Sequence, residues 1–288
     1  MATPLRSSLH QAQAVLATMH GKERVIIPLL HKALGLHIDV PANLNTDRFG
    51  SFSRDIPRIG SPLDAARAKI AAAFEQAPQA SIGVASEGSF GPHPQAPFVP
   101  IESEIVLLQD RRSGLEIVGH YLTSRTNFAQ MIAAEPDAAM SFAERSGFPA
   151  HGIIVIGTAA GKPDPSRLLR KDIDSVQELR AAVAEAIALC GAAHVETDMR
   201  AHRNPVRMRA IKRATIDLVR RYRSQCPRCA RPGFAVTERL SGLPCGECGE
   251  ATDVTRAEVL LCAGCAHRIE RPCGKSLADP ARCDYCNP

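Results

Sequence analysis

The 288-residue chain contains no tryptophan, three tyrosines and nine phenylalanines, so aromatic residues make up only 4% of it. So few rings are a poor basis for a surface that grips nucleic acid by stacking bases. No stretch approaches the roughly 18 consecutive apolar residues of a membrane helix, which argues against a helical spanning protein and against a membrane partner. The opening MATPLRSSLHQAQ lacks the apolar core of a secretory signal, and a cytoplasmic location is the expectation. Low-complexity tracts are absent too. With 45% hydrophobic and 23% charged residues, the composition is that of a folded globular chain.

What the chain does have is cysteine. Eight of its ten cysteines form four pairs of one spacing, Cys226/Cys229, Cys245/Cys248, Cys262/Cys265 and Cys283/Cys286. Two residues between thiolates let a short turn aim both at one tetrahedral ion, and two such pairs complete a site. Four pairs therefore predict two structural zinc ions. Disulfides would need an oxidising compartment, for which there is no export signal. Sequential and interleaved pairings both fit the gaps. Cys190 falls on the helical stripe Val176, Leu179, Val183, Ile187 and reads as a buried core thiol. Cys273 reads as a spectator.

The segment 223–288 has few large apolar residues and would need its metals to fold, so it is expected to be a separate cysteine-rich module of double zinc-ribbon type. Residues 1–222 alternate strand-like and helix-like signals. Ala14–Thr18 and Leu36–Val40 read as strands around an amphipathic stretch from Lys22 to Leu34. Pro62–Phe74 reads as a helix capped by Ser61. Ser81–Ala85 reads as a strand that ends before a glycine-rich loop. Glu104–Gln109 and Leu115–Tyr121 flank a DRRSG turn, the mark of a hairpin. His151–Gly157 reads as a buried strand, Asp174 as the cap of a helix to Cys190, and Asn204-Pro205 as the start of a last helix. Together these predict an α/β fold with a mixed sheet flanked by helices.

Several segments carry side chains suited to chemistry. Thr18-Met19-His20-Gly21-Lys22, between a strand and a helix, suits a phosphate through backbone amides and a positive charge; an ordinary turn with a solvated lysine is the alternative. Glu87, Gly88, Ser89 and His93 lie in a run of glycines and prolines after a strand, where a carboxylate could hold a divalent cation. Asp47, with Arg58 downstream, reads as a substrate loop or as a solvated one. In HVETDMRAHRN, an extended backbone puts His194, Glu196, Asp198 and Arg200 on one face, followed by His202 and Arg203. Such a face implies a ligand or a structural Asp/Glu–Arg network. Residues 199–231 hold eleven Lys/Arg against Asp217 alone, a net +10, so the remaining residues carry −5. That basic segment could bind nucleic acid or polyphosphate, or form a solvated helix face.

The motifs ATMHGKE, TDRFGSFSRDIPR, AARAK, ASEGSFGPHP, ETDMRAHRNP and CDYCNP, together with the four CxxC pairs, resemble a bacterial family of domains of unknown function over nearly the whole chain. The N-terminal half also resembles the inosine/xanthosine triphosphate pyrophosphatase superfamily. Thr18 and Lys22 are similar to its Thr/Ser-x-x-x-Lys turn, Ala66 and Lys69 to its Ala-x-x-Lys helix, and Glu87-Gly88 to its acidic strand end. His202-Arg203 is similar to its late His-Arg pair. His20-Gly21 stands where those enzymes carry asparagine. The resemblance implies magnesium-dependent cleavage of a nucleotide or related phosphoanhydride. Glu87 would bind the ion, Lys22, Lys69 and Arg58 would neutralise phosphate charge, and Asp198 and Arg200 would complete the site. The rival expectation is a zinc-containing protein that binds nucleic acid or another protein without catalysis.

Overall fold

A computed structural model describes residues 9, 11–50, 56, 60–94 and 96–288. Its contacts divide the chain into two units, Met1–Val219 and Arg220–Pro288. In chain order the elements of the first are β1 (Gln13–Ala17), α1 (Glu23–Leu34), β2 (His37–Asp39), α2 (Pro62–Gln76), β3 (Ile82–His93), β4 (Ala96–Asp110) and β5 (Leu115–Thr123). There follow β6 (Gln130–Ala133), α3 (Pro136–Arg145), β7 (Ile153–Ala159), β8 (Lys162–Pro163), β9 (Leu169–Arg170), α4 (Val176–Cys190), β10 (Ala193–Thr197) and α5 (Pro205–Arg223).

The first five strands form a mixed sheet in the order β2-β1-β3-β4-β5, with β1 parallel to both neighbours and β3, β4 and β5 antiparallel. A second sheet, β6-β10-β7-β8, is antiparallel, and β9 also pairs with β7. The expected α/β fold with a mixed sheet is present, with a second sheet beside it. Strand β3 runs on to His93, well past the point where its glycines and prolines suggest a loop. Continuous pairing with β4, from Ile82↔Asp110 to Pro92↔Pro100, holds those residues extended: a partner strand overrides weak local propensity.

Helix α2 begins with a capping box, in which the Asp64 N–H donates to Ser61 Oγ at 3.2 Å and the Ser61 N–H to Asp64 Oδ2 at 3.1 Å. Its alanines Ala66 and Ala73, with Ile70, let it lie close on Ala85, Ile105 and Leu107 of the first sheet. Helix α4 is capped by Ser175, whose hydroxyl accepts from the Glu178 N–H, so the cap sits one residue after Asp174. Cys190, at its end, is half-buried. The second sheet packs Ile153, Val155 and Val195 against Leu179, Val183 and Ala186 of α4.

Helix α5 crosses β5 at Gly119 with no room to spare. A Cβ there would stand 2.2 Å from the Ala214 carbonyl oxygen and 2.4 Å from the Leu218 nitrogen. Both are helix backbone and cannot swing aside. Gly119→Ala is therefore expected to cost about 3 kcal/mol, the upper part of the usual overpacking range. Urea unfolding of the full chain measures it; a change under about 0.5 kcal/mol, typical of an ordinary surface site, would contradict this contact.

The second unit contains β11 (Ala235–Ser241), β12 (Thr255–Leu261) and β13 (Arg268–Pro272), an antiparallel sheet in that order. No helix among the described residues is long and apolar enough to cross a membrane.

Candidate functional site

Strand β1 stops at Ala17, opposite Ala85, while β3 continues. The β3 backbone beyond Ala85 therefore has no β1 neighbour, and a side chain takes its place. The chain turns through Thr18–Gly21, with Gly21 at a φ of +72°, and brings Lys22 back so that its Nζ donates to the Ser86 carbonyl at 3.0 Å. Lys22 is buried, and its ammonium is pushed down to about 7. Burial is the largest cause, the charges of Arg207 and Lys69 add to it, and Glu87 and Glu104 oppose it. Lys69, on α2, is ion-paired with Glu87 in the same buried region.

Alternation along β3 puts Glu87 and Gly88 on opposite faces of the sheet. Glu87 shares the α2 face with Ala85. Gly88 lies across from Glu104, and a Cβ on it would fall 2.3 Å from Glu104 Oε1. Glu104 Oε1 accepts from Arg207 Nε at 2.6 Å, and Arg207 also donates to the Met199 carbonyl. Glu102, two residues along β4 on the Glu104 side, has both carboxylate oxygens buried. Burial, then the Glu104 charge, push its carboxyl up to about 7, against the pull of Arg207 and the Thr126 hydroxyl.

Around the outer end of this cluster three loops converge. His20 Nε2 donates to Asp47 Oδ1 at 2.7 Å, since a carboxylate can only accept. Burial works to raise the Asp47 carboxyl, but the His20 hydrogen bond and the charges of His20, Lys69 and Lys171 hold it below the usual range. The His20 ring stacks on that of His202, centroids 4.9 Å apart. Burial, with the nearby His20 and Arg200, keeps His202 below the ordinary imidazole range, against Asp198 and Asp172. Arg200 is clamped between Asp198 (2.6 Å) and Asp172 (2.7 Å). Arg203 pairs with Asp174 at 2.6 Å, and His194 with Glu196 at 2.9 Å.

Thus His20, Lys22, Asp47, Lys69 and Glu87 are linked by contact or charge, and His202 joins them through His20. Thr18 is buried, its hydroxyl accepting from the His20 N–H at 3.4 Å. Asp198 and Arg200 reach the group through His202 but are engaged with one another. Ser89 and His93 lie farther along β3, opposite Ser103 and Ala96. Arg58 lies outside the described residues. Glu102, Glu104 and Arg207 were not legible as site residues. Their signal was the Glu-x-Glu spacing of IESEIV, two carboxylates on one face of a strand, and Arg207 was hidden within the basic run.

The cysteines form two groups, Cys226/Cys229/Cys262/Cys265 and Cys245/Cys248/Cys283/Cys286, each able to hold one metal ion. The first pair thus joins the third and the second joins the fourth. Four sulfurs around a tetrahedral ion at about 2.3 Å lie roughly 3.8 Å apart. Those across the two sites are separated by 3.7 Å (Cys226–Cys265), 3.6 Å (Cys229–Cys262), 3.9 Å (Cys245–Cys286) and 3.6 Å (Cys248–Cys283). Backbone N–H groups of Cys248 and Glu247 pull the Cys245 thiol down to about 7, and those of Cys265 and Gly264 pull Cys262 to about 6. Those contacts hold Cys245 and Cys262 towards the thiolate a metal requires, whereas burial and the neighbouring thiols push Cys248, Cys265 and Cys286 up. Cys273 belongs to neither group.

No curated protein matches the chain. Residues 69–288 match the family model described as Domain of unknown function (DUF6671), a span that takes in Lys69, Glu87, the Asp198–Arg203 segment and all eight paired cysteines. By that match, the chain belongs to the DUF6671 family of domains of unknown function.

Proposed function

We propose that the first unit is a divalent-cation-dependent hydrolase of a phosphoanhydride, with a nucleotide as the substrate class, and that both cysteine sites carry structural zinc. The observation that carries the first reading is the burial of Lys22 and Lys69 close enough for each to feel the other's charge, beside Glu87. Two buried cations repel one another, and a polyphosphate relieves that repulsion while gaining charge stabilisation as its anhydride breaks. The order of motifs shared with the inosine/xanthosine triphosphate pyrophosphatases supports the same reading. For the second, all-thiolate tetrahedral sets suit zinc.

In the free protein Lys22 sits near the midpoint of its titration at neutral pH. An arriving polyanion draws a proton onto it, so binding is coupled to proton uptake and weakens as pH rises above about 7. Lys69 exchanges part of its contact with Glu87 for phosphate oxygens. Asp47 orients His20 beside the phosphate-facing turn, and the Asp198–Arg200–Asp172 clamp fixes the backbone that carries His202. Asp198 is thereby a positioning residue. Magnesium requires only one or two carboxylates beside substrate phosphates, a need that buried Glu87 meets; the ion would supply charge neutralisation and a more acidic water.

Phosphate and pyrophosphate release from a panel of standard and non-standard nucleoside triphosphates, with magnesium, tests the proposal. Turnover of at least one is expected, and Glu87→Gln should lower it about a hundredfold or more. Silence across the panel, or full activity in the variant, would sink the reading.

A further inference from the structure

The first turn of α1 and the first half of α5 border a cavity of about 290 Å³, near the lower end of the size range of small-ligand pockets. Val25 and Met208 are half-buried and Ala201 is buried, so its inner wall is apolar. Arg24, Arg209 and Lys212 also line it, and all three are exposed. No acidic residue does. Earlier in the same basic segment the protein neutralises its own cations: Arg200 with Asp198 and Asp172, Arg203 with Asp174, and Arg207 with Glu104. Arg24, Arg209 and Lys212 have no such carboxylate among the described residues. Their like charges gather at one apolar hollow and leave the compensation to a ligand.

We infer that this cavity binds a phosphate monoester carrying a compact apolar body. The guanidinium groups of Arg24 and Arg209 offer forked donors to phosphate oxygens, and Lys212 adds a point charge. Val25 and Met208 receive the apolar body. The cavity adjoins the Lys22–Glu87 cluster, with which it shares the Gly21 turn and His202, while the Lys22 ammonium itself is directed to Ser86 on β3. It does not depend on hydrolysis.

Calorimetric titration of the full, metal-loaded chain at low salt with phenyl phosphate and with inorganic phosphate tests the inference. Phenyl phosphate should bind about tenfold more tightly than inorganic phosphate, the effect expected of burying one small ring. Arg209→Gln/Lys212→Gln should weaken phenyl phosphate about tenfold or more through lost charged hydrogen bonds. Both side chains are exposed, so folding is preserved, and an unchanged thermal midpoint confirms it. Equal affinities in wild type and variant, no binding of phenyl phosphate, or binding of a single-stranded oligonucleotide but of neither small phosphate would overturn it.

Discussion

A strong chelator added to the full chain is expected to release two equivalents of metal and to unfold residues 220–288. That unit buries little apart from Tyr222, Phe234, Leu243, Val259, the small Ala257 and Ala278, and its own cysteine sulfurs. Below about 70–80 residues, so small a core supplies only a few kcal/mol, whereas structural zinc contributes on the order of 10–16 kcal/mol at neutral pH. Loss of near-native amide protection confined to this segment, followed by hydrogen exchange, is the expected signature. The interleaved pairing makes a sharper test. Cys226→Ala/Cys265→Ala removes two ligands from one site and should leave one equivalent bound, while Cys226→Ala/Cys245→Ala damages both sites and should leave none. The reverse result, read from metal content after gel filtration, would establish sequential pairing instead.

Arg207→Met should destabilise the protein by about 3–5 kcal/mol, the usual consequence of stripping one partner from a buried ion pair. Arg207 and Glu104 are both essentially inaccessible, and removing the guanidinium leaves Glu104 beside the already strained Glu102. The pH dependence carries the sign. The Glu102 carboxyl titrates at about 7 in the folded protein against an ordinary value of 4.5, so between those limits the native state holds more protons than the unfolded one. Stability from this group is full below 4.5 and is lost as pH rises through about 7. In Arg207→Met, Glu104 joins it, and the loss should be smaller at pH 5 than at pH 8. Adding Glu104→Gln should restore part of the stability, because a neutral amide is cheaper to bury than an uncompensated carboxylate. Denaturant midpoints at the two pH values check both statements; a loss independent of pH would contradict them.

Local signals were legible where local physics decides. Ser61-Pro62 announced α2, and the structure adds the Asp64 half of the capping box. DRRSG announced the β4–β5 hairpin. Glycine 21 and Lys22 announced a strand-to-helix turn. The ASEGSFGPHP segment was misleading, because small residues and prolines describe a loop until a partner strand pairs with them. Here the small residue has a packing purpose: Gly88 leaves space that Glu104 and Arg207 fill from β4 and α5. The pairing of Arg207 with Glu104, 103 residues away, has no trace in sequence spacing. Nor does the stacking of His20 on His202, which depends on two loops from different sheets arriving at one place.

The sequence by itself determined that there are cysteines for two four-thiol groups, each able to hold a metal ion, since four turns of identical spacing each present two of them. Which turns meet was decided only by the tertiary structure. Antiparallel pairing of β11 with β12 sets Ala235, just after the first cysteine pair, against Leu261, just before the third. The second pair follows β11 at the other end of that hairpin, where Cys245 bridges to Ala278 and draws in the fourth. Strand register, not the length of the gaps, chooses the partners, because a flexible gap of any of these lengths can close at nearly equal entropic cost.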